Sequence, residues 1–159
     1  MLMSIRKARV GDLGAIALIA SESFIGMRQL GLAKKWVLCS WNSRPRMMYW
    51  VAEYGGKVVG YILWSELGGF RGDAVFDLDQ LGVDPDYRRK GLGERLVRES
   101  LSQIRVMLAK RGSRLKLVQI TTGSEQHAVE FYKRALGAQI VAVLPQFFRS
   151  DELVLIARF

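Results

Sequence analysis

Residues 74–111 read AVFDLDQLGVDPDYRRKGLGERLVRESLSQIRVMLAKR, and the order of segments within this stretch sets the architecture. An apolar strand runs to Val83, Asp84-Pro85-Asp86 turns the chain, a basic loop carries Gly91 and Gly93, and a long amphipathic helix starts at the second glycine. A strand that feeds a glycine-bearing loop into a helix N-terminus is a device for holding anions. The N–H groups of a helix's first turn have no partner inside the helix, the positive end of the dipole lies there, and glycine lets an anion approach the main chain. Arg88, Arg89 and Lys90 add three cations beside the same loop. Two common phosphate loops do not match: a dinucleotide fingerprint needs glycine where Leu96 stands, and a P-loop needs Gly-Lys-Ser/Thr at its close.

Charge follows the same stretch. The 159-residue chain has a formal net charge of +9, with 24 Lys and Arg against 15 Asp and Glu. From Arg88 to Lys116 ten Lys and Arg face only Glu94 and Glu99, so 10 − 2 = +8 lies in that one segment. A nucleic-acid surface would also be basic, but no helix-turn-helix, zinc-finger or RNP signature accompanies the charge, and no run of aromatics is interleaved with it. A cofactor with several phosphates accounts for the same charge more simply. One cysteine, Cys39, excludes an intramolecular disulfide, and with one histidine, His127, no zinc set can be assembled. The Cys39 thiol is expected to be buried. Half the residues are apolar, which suits a single globular domain over residues 1–159. No apolar run approaches the roughly 20 residues needed to cross a bilayer, and residues 1–7 lack signal-peptide architecture, so a cytoplasmic protein is expected.

Taken in order, residues 4–9 form a short strand and residues 12–20 an alanine-rich helix. Residues 24–48 are harder to read: Gly26 and Gly31 should interrupt any long helix, and Arg28, Lys34, Lys35, Arg44 and Arg46 stand there without an acid. Two readings stand for them: a solvated basic face over two core tryptophans, or a surface that meets an anionic part of a substrate. Residues 47–54 and 57–67 are β-rich runs joined by Gly55-Gly56, the signature of a tight antiparallel hairpin. In the helix that follows the basic loop, Val97, Leu101, Ile104 and Leu108 fall on one face. Residues 115–121 form a strand parallel to residues 74–83, Ser124 caps a helix that Gly137 ends, and Ala128, Phe131, Tyr132, Ala135 and Leu136 make its buried stripe. Residues 139–148 and 152–159 close the chain as an antiparallel pair.

The basic loop, Arg88-Arg89-Lys90-Gly91-Leu92-Gly93, resembles the Arg/Gln-x-x-Gly-x-Gly/Ala signature of the GNAT superfamily of acetyl-CoA-dependent N-acetyltransferases. Its Leu81-Gly82-Val83-Asp84-Pro85-Asp86-Tyr87 lead-in, the helix behind it, the later Ala128-x-x-Phe131-Tyr132 and the element order extend the resemblance over essentially the whole chain. The resemblance implies an α/β (α+β) GNAT fold, a mixed sheet of about seven strands with helices on both faces, whose central parallel strands splay around acetyl-CoA. It further implies that Arg88, Arg89, Lys90, Gly91, Leu92, Gly93 and Glu94 hold the pyrophosphate, mostly through main-chain N–H groups. Main-chain groups at Leu81 and Val83 would meet the pantetheine and the thioester carbonyl. Tyr132 would protonate the departing thiolate, for which a phenol is suited.

An ammonium acceptor must lose a proton before it attacks, and in the resembled family a carboxylate of the fourth strand often takes it. Asp77 and Asp79 are the candidates, sharing one face if no bulge intervenes, with Asp79 preferred as nearer the expected thioester. The family's usual asparagine three residues before the helix alanine is Glu125 here, so that contact is not carried over, and His127 reads as a surface residue. The expected function is direct acetyl transfer to a primary amine in a ternary complex, by a monomer or homodimer without a metal. Cys39 has no histidine or acid partner nearby in sequence for a covalent relay. The rivals are a non-catalytic acetyl-CoA sensor of the same fold and a basic nucleic-acid-binding protein.

Overall fold

The computed structural model describes residues 2–159. Its strands are β1 (Met3–Lys7), β2 (Met47–Tyr54), β3 (Lys57–Leu67), β4 (Asp73–Val83), β5 (Arg114–Gly123), β6 (Gln139–Leu144) and β7 (Glu152–Arg158). Its α-helices are α1 (Leu13–Ser23), α2 (Leu30–Asn42), α3 (Leu92–Lys110) and α4 (Gln126–Leu136). The strands form one mixed sheet in the order β1-β2-β3-β4-β5-β7-β6. By packing, the chain divides into two compact units, residues 1–65 with 80–103 and residues 66–79 with 104–159, so the division passes through β4 and α3.

In the first unit β1, β2 and β3 are antiparallel neighbours. Gly55 and Gly56, both at positive φ (56° and 77°), make the two-residue turn that sets Tyr54 opposite Lys57, as the two adjacent glycines require. The Arg6 guanidinium grips the Asp12 carboxylate with both arms (2.7 and 3.0 Å) and reaches Glu53 Oε2 at 2.9 Å through Nε. That grip holds Asp12 below the usual carboxylate range despite its burial. Ile16, Ala17, Ala20, Val37, Tyr49, Val51, Tyr61 and Leu63 are core residues of this unit. The indole N–H groups of Trp50 and Trp64 donate to Gln103 Oε1 and Ser100 Oγ, each at 2.8 Å, tying the middle of α3 to the hairpin.

Residues 24–48 depart from the sequence reading. Gly26 lies in a short 3₁₀ turn, Ile25–Met27, but Gly31 sits in the first turn of a 13-residue helix. A first turn has no intrahelical N–H bond to lose, so glycine there does not break the helix. Ala33, Val37 and Ser40 make its buried stripe. Trp36 falls off that stripe and is 56% exposed, leaving Trp41 as the half-buried tryptophan of the helix. Cys39 is exposed rather than buried, for the same helical phase.

In the second unit β4 and β5 are parallel, β5 and β7 antiparallel, and β7 and β6 antiparallel. β6 ends at Leu144, short of the expected Phe148. Pro145 follows, and a proline cannot donate to a ladder. α4 is capped at Glu125 rather than Ser124, and Gly137 closes it in the left-handed conformation. Val129 is its buried residue, while Ala128, Phe131, Tyr132, Ala135 and Leu136 are half-buried around it.

Candidate active site

The residues expected to form a site fall into two groups, one in each unit. In the first unit, β4 ends at Val83 and the 3₁₀ turn Pro85–Tyr87 follows, its start held by the Asp84 side chain accepting from the Asp86 N–H at 3.0 Å. The loop then takes Arg89 and Gly91 into the left-handed region, φ 59° and 74°. For Arg89 that conformation costs about 1–2 kcal/mol, which the rest of the structure must offset. The Arg95 N–H reaches back to the Gly91 carbonyl at 3.2 Å, which makes Gly91 the cap and turns the first-turn N–H groups of α3 outward. A Cβ placed on Gly91 would meet nothing within 4 Å. The space beside Gly91 is therefore open, and its main chain is not covered by a neighbouring side chain.

Arg88 Nε donates to the Val83 carbonyl at 2.9 Å and Lys90 Nζ to the Asp86 carbonyl at 2.9 Å. Both side chains thus brace the loop while remaining exposed. Lys57 and Lys90 lie over the Tyr87 ring, 5.6 and 5.3 Å from its centroid. The cation density expected from the letters is present, but two of its three members have structural partners that sequence spacing does not reveal.

The second unit holds the titrating groups. Along β4 burial alternates without interruption from Ala74 to Val83, so Asp77 and Asp79 do share a face, the more open one. They differ in depth: Asp77 is half-buried and Asp79 exposed. Burial pushes the Asp77 carboxyl up to about 6, helped by the charge of Asp79 and opposed by a hydrogen bond from Gln119. Tyr132 lies on the inner stripe of α4, its ring edge-on to Phe131 with centroids 5.0 Å apart. Its phenol is pushed up to about 12, by burial first and by the Asp77 charge second. The Asp77 charge therefore bears on the Tyr132 phenol. Glu125 and His127 are exposed at the start of α4. Gln119 was not among the residues expected from sequence; only its position opposite Asp77 in the paired strands distinguishes it. Among the described residues no cluster of His, Cys, Asp and Glu could hold a metal ion, and no helix is long and apolar enough to cross a membrane.

The features to be accounted for are a mixed α/β sheet, a basic glycine-bearing loop at a helix N-terminus, and a half-buried carboxyl and phenol with raised pKa values. The sequence profile of the acetyltransferase (GNAT) family matches residues 15–138, and the chain belongs to that family. An uncharacterized N-acetyltransferase of Methanocaldococcus jannaschii is 30% identical over 118 residues, covering 72% of this chain and 47% of that protein. N-alpha-acetyltransferase RimI of Mycobacterium tuberculosis is 30% identical over 105 residues, covering 66% of this chain and 60% of that protein. The chain thus matches less than two thirds of the length of either relative. The crystal structure of a GNAT-family acetyltransferase from Desulfovibrio desulfuricans superposes with a TM-score of 0.76 at 20% identity, over 99% of both chains. That likeness concerns the fold.

Proposed function

We propose that this protein transfers the acetyl group of acetyl-CoA to a primary amine, directly and without an acetyl-enzyme. Members of the family use acetyl-CoA as cosubstrate. The observation that carries the reading is the Asp77–Tyr132 pair: one group placed to accept a proton near neutral pH and one that keeps its proton there. The loop fits the carrier. Bare main chain at Gly91, the open space above it and the helix start suit a pyrophosphate, bound by Arg88, Arg89, Lys90, Gly91, Leu92, Gly93 and Glu94. Leu81 and Val83 offer main-chain groups to the pantetheine amides and the thioester carbonyl.

Bound acetyl-CoA supplies a carbonyl activated by its sulfur; the chain supplies the proton traffic. Asp77 takes one proton from the ammonium, leaving a neutral amine whose nitrogen bonds to the carbonyl carbon. The C–S bond breaks with its electron pair on sulfur, and Tyr132 gives that sulfur its proton. The second proton on nitrogen restores the phenol, and the proton on Asp77 leaves to solvent, so one proton is released per turnover. The charges are coupled in the useful direction. While Asp77 is ionised it helps to keep Tyr132 protonated, and once Asp77 has taken the amine's proton, that part of the hold on the Tyr132 proton is gone. Asp79, exposed and on the same face, serves as the second carboxylate and raises Asp77 by its charge.

Arg28, Lys34, Lys35, Arg44 and Arg46 are all exposed, and they favour acceptors that carry a carboxylate or phosphate near the amine. The name of the RimI relative adds peptide N-termini to the acceptors worth testing. The test follows release of free thiol from acetyl-CoA over peptides with free N-termini, lysine, polyamines and amino sugars, with and without anionic substituents. Amine-dependent thiol release is expected, faster for anionic members of a matched pair. Binding of acetyl-CoA with no turnover on any amine would replace the enzyme with a sensor.

A further inference from the structure

We propose that Gln119 is a positioning residue: from the last rung of the β4–β5 ladder, its side-chain amide holds the Asp77 carboxylate in place as the base. The proposal rests on the acetyl-transfer reading above and adds to it a residue that no sequence motif marks.

The paired residues of β4 and β5 run from Asp73 opposite Arg114 to Asp77 opposite Gln119, while β4 continues to Val83 and β5 to Gly123. Asp77 and Gln119 are thus the final pair before the ladder ends. Both sit at half-buried positions between fully buried neighbours, Phe76 and Leu78 on β4 and Val118 and Ile120 on β5. They therefore occupy the same face of the sheet, and their side chains are neighbours across the strands. On its other side Gln119 is opposite Ile156 of β7, so the polar member of its own cross-strand row on either flank is Asp77. The hydrogen bond from Gln119 favours the ionised carboxylate. It works against burial and against Asp79, the other charged group that bears on Asp77, while Tyr132 faces it from α4. An amide suits this task better than a charged donor. It orients the carboxylate and resists its protonation without supplying a cation that would hold it permanently ionised and too weak a base. A leucine would leave the sheet packing and remove the donor; a glutamate would add a second negative charge.

The experiment is a ¹³C-carboxyl NMR titration of Asp77, assigned by its loss in Asp77→Asn, in wild type, Gln119→Leu and Gln119→Glu, alongside kcat/KM against pH. The Asp77 midpoint should move up by about one pH unit in Gln119→Leu, as expected for losing one hydrogen bond to a charged group, and further in Gln119→Glu. The ascending limb of kcat/KM should move with it, so that Gln119→Leu loses activity at pH 6 and recovers it at pH 9. A structural role would lower activity at every pH. If Gln119→Leu does not fold, Gln119→Met makes the same comparison. An unmoved Asp77 midpoint in a folded variant overturns the proposal. Midpoints that move as expected in a protein with no acetyl transfer uphold the Gln119–Asp77 coupling and overturn the enzyme reading instead.

Discussion

Asp77 is held where its charge is disfavoured, and that has a measurable cost. A carboxyl with a raised folded pKa stabilises the fold fully below its unfolded value, near 3.8, and that contribution is lost as pH rises through about 6. Asp77→Asn should therefore match wild type in stability near pH 4 and exceed it by about 1–3 kcal/mol at pH 7. Urea unfolding at the two pH values checks this, and a gap that does not grow with pH would place Asp77 in an ordinary solvated site. Tyr132→Phe keeps the edge-on contact with Phe131 and removes the proton donor. It should lower kcat by about 10²–10⁴-fold while acetyl-CoA affinity changes little. Full activity in that variant would leave Tyr132 as a packing residue of α4. The choice between Asp77 and Asp79 could not be read from the letters. Spacing puts both on one face, and only the packing around the strand shows that one is half-buried and the other exposed.

Among the elements, the loop between β4 and α3 was the most legible, because glycine at a left-handed position and a helix start carry their own geometry. Gly91→Asp puts a side chain and a negative charge into space that is now open. It should cost about 1–2 kcal/mol of stability for the left-handed conformation at residue 91 and weaken acetyl-CoA binding by about tenfold or more in calorimetry on the folded variant, whereas unchanged affinity would remove the loop from the binding site. α2 was the least legible. Its apolar residues nearly encircle it, Trp36, Leu32 and Leu38 being exposed and Val37 and Ala33 buried. A periodicity that weak does not reveal which side faces the core. The bracing roles of Arg88 and Lys90 were likewise hidden, since their acceptors are main-chain carbonyls of residues 83 and 86, and any residue type supplies a carbonyl.

For the molecule as a whole, the net charge of +9 acts on every anionic ligand. Acetyl-CoA affinity should fall by roughly three- to tenfold between 50 and 500 mM salt as the field is screened. Salt-independent affinity would mean that main-chain donors alone bind the carrier. The order of elements along the chain, the tight hairpin at Gly55-Gly56, the parallel β4–β5 pair and the cap at Gly137 follow from local rules of turns, periodicity and crossover handedness, which act over a few residues and are written in the chain. Burial depth, helix phase and side-chain partners across strands are different. Asp77 and Gln119 are 42 positions apart in sequence and become neighbours only when two strands settle into register. The amino-acid sequence by itself therefore determined the family, the fold and the anion loop. The tertiary structure decided which carboxylate is half-buried with a raised pKa and which amide lies across the strands from it, because those properties arise from long-range packing rather than from local geometry.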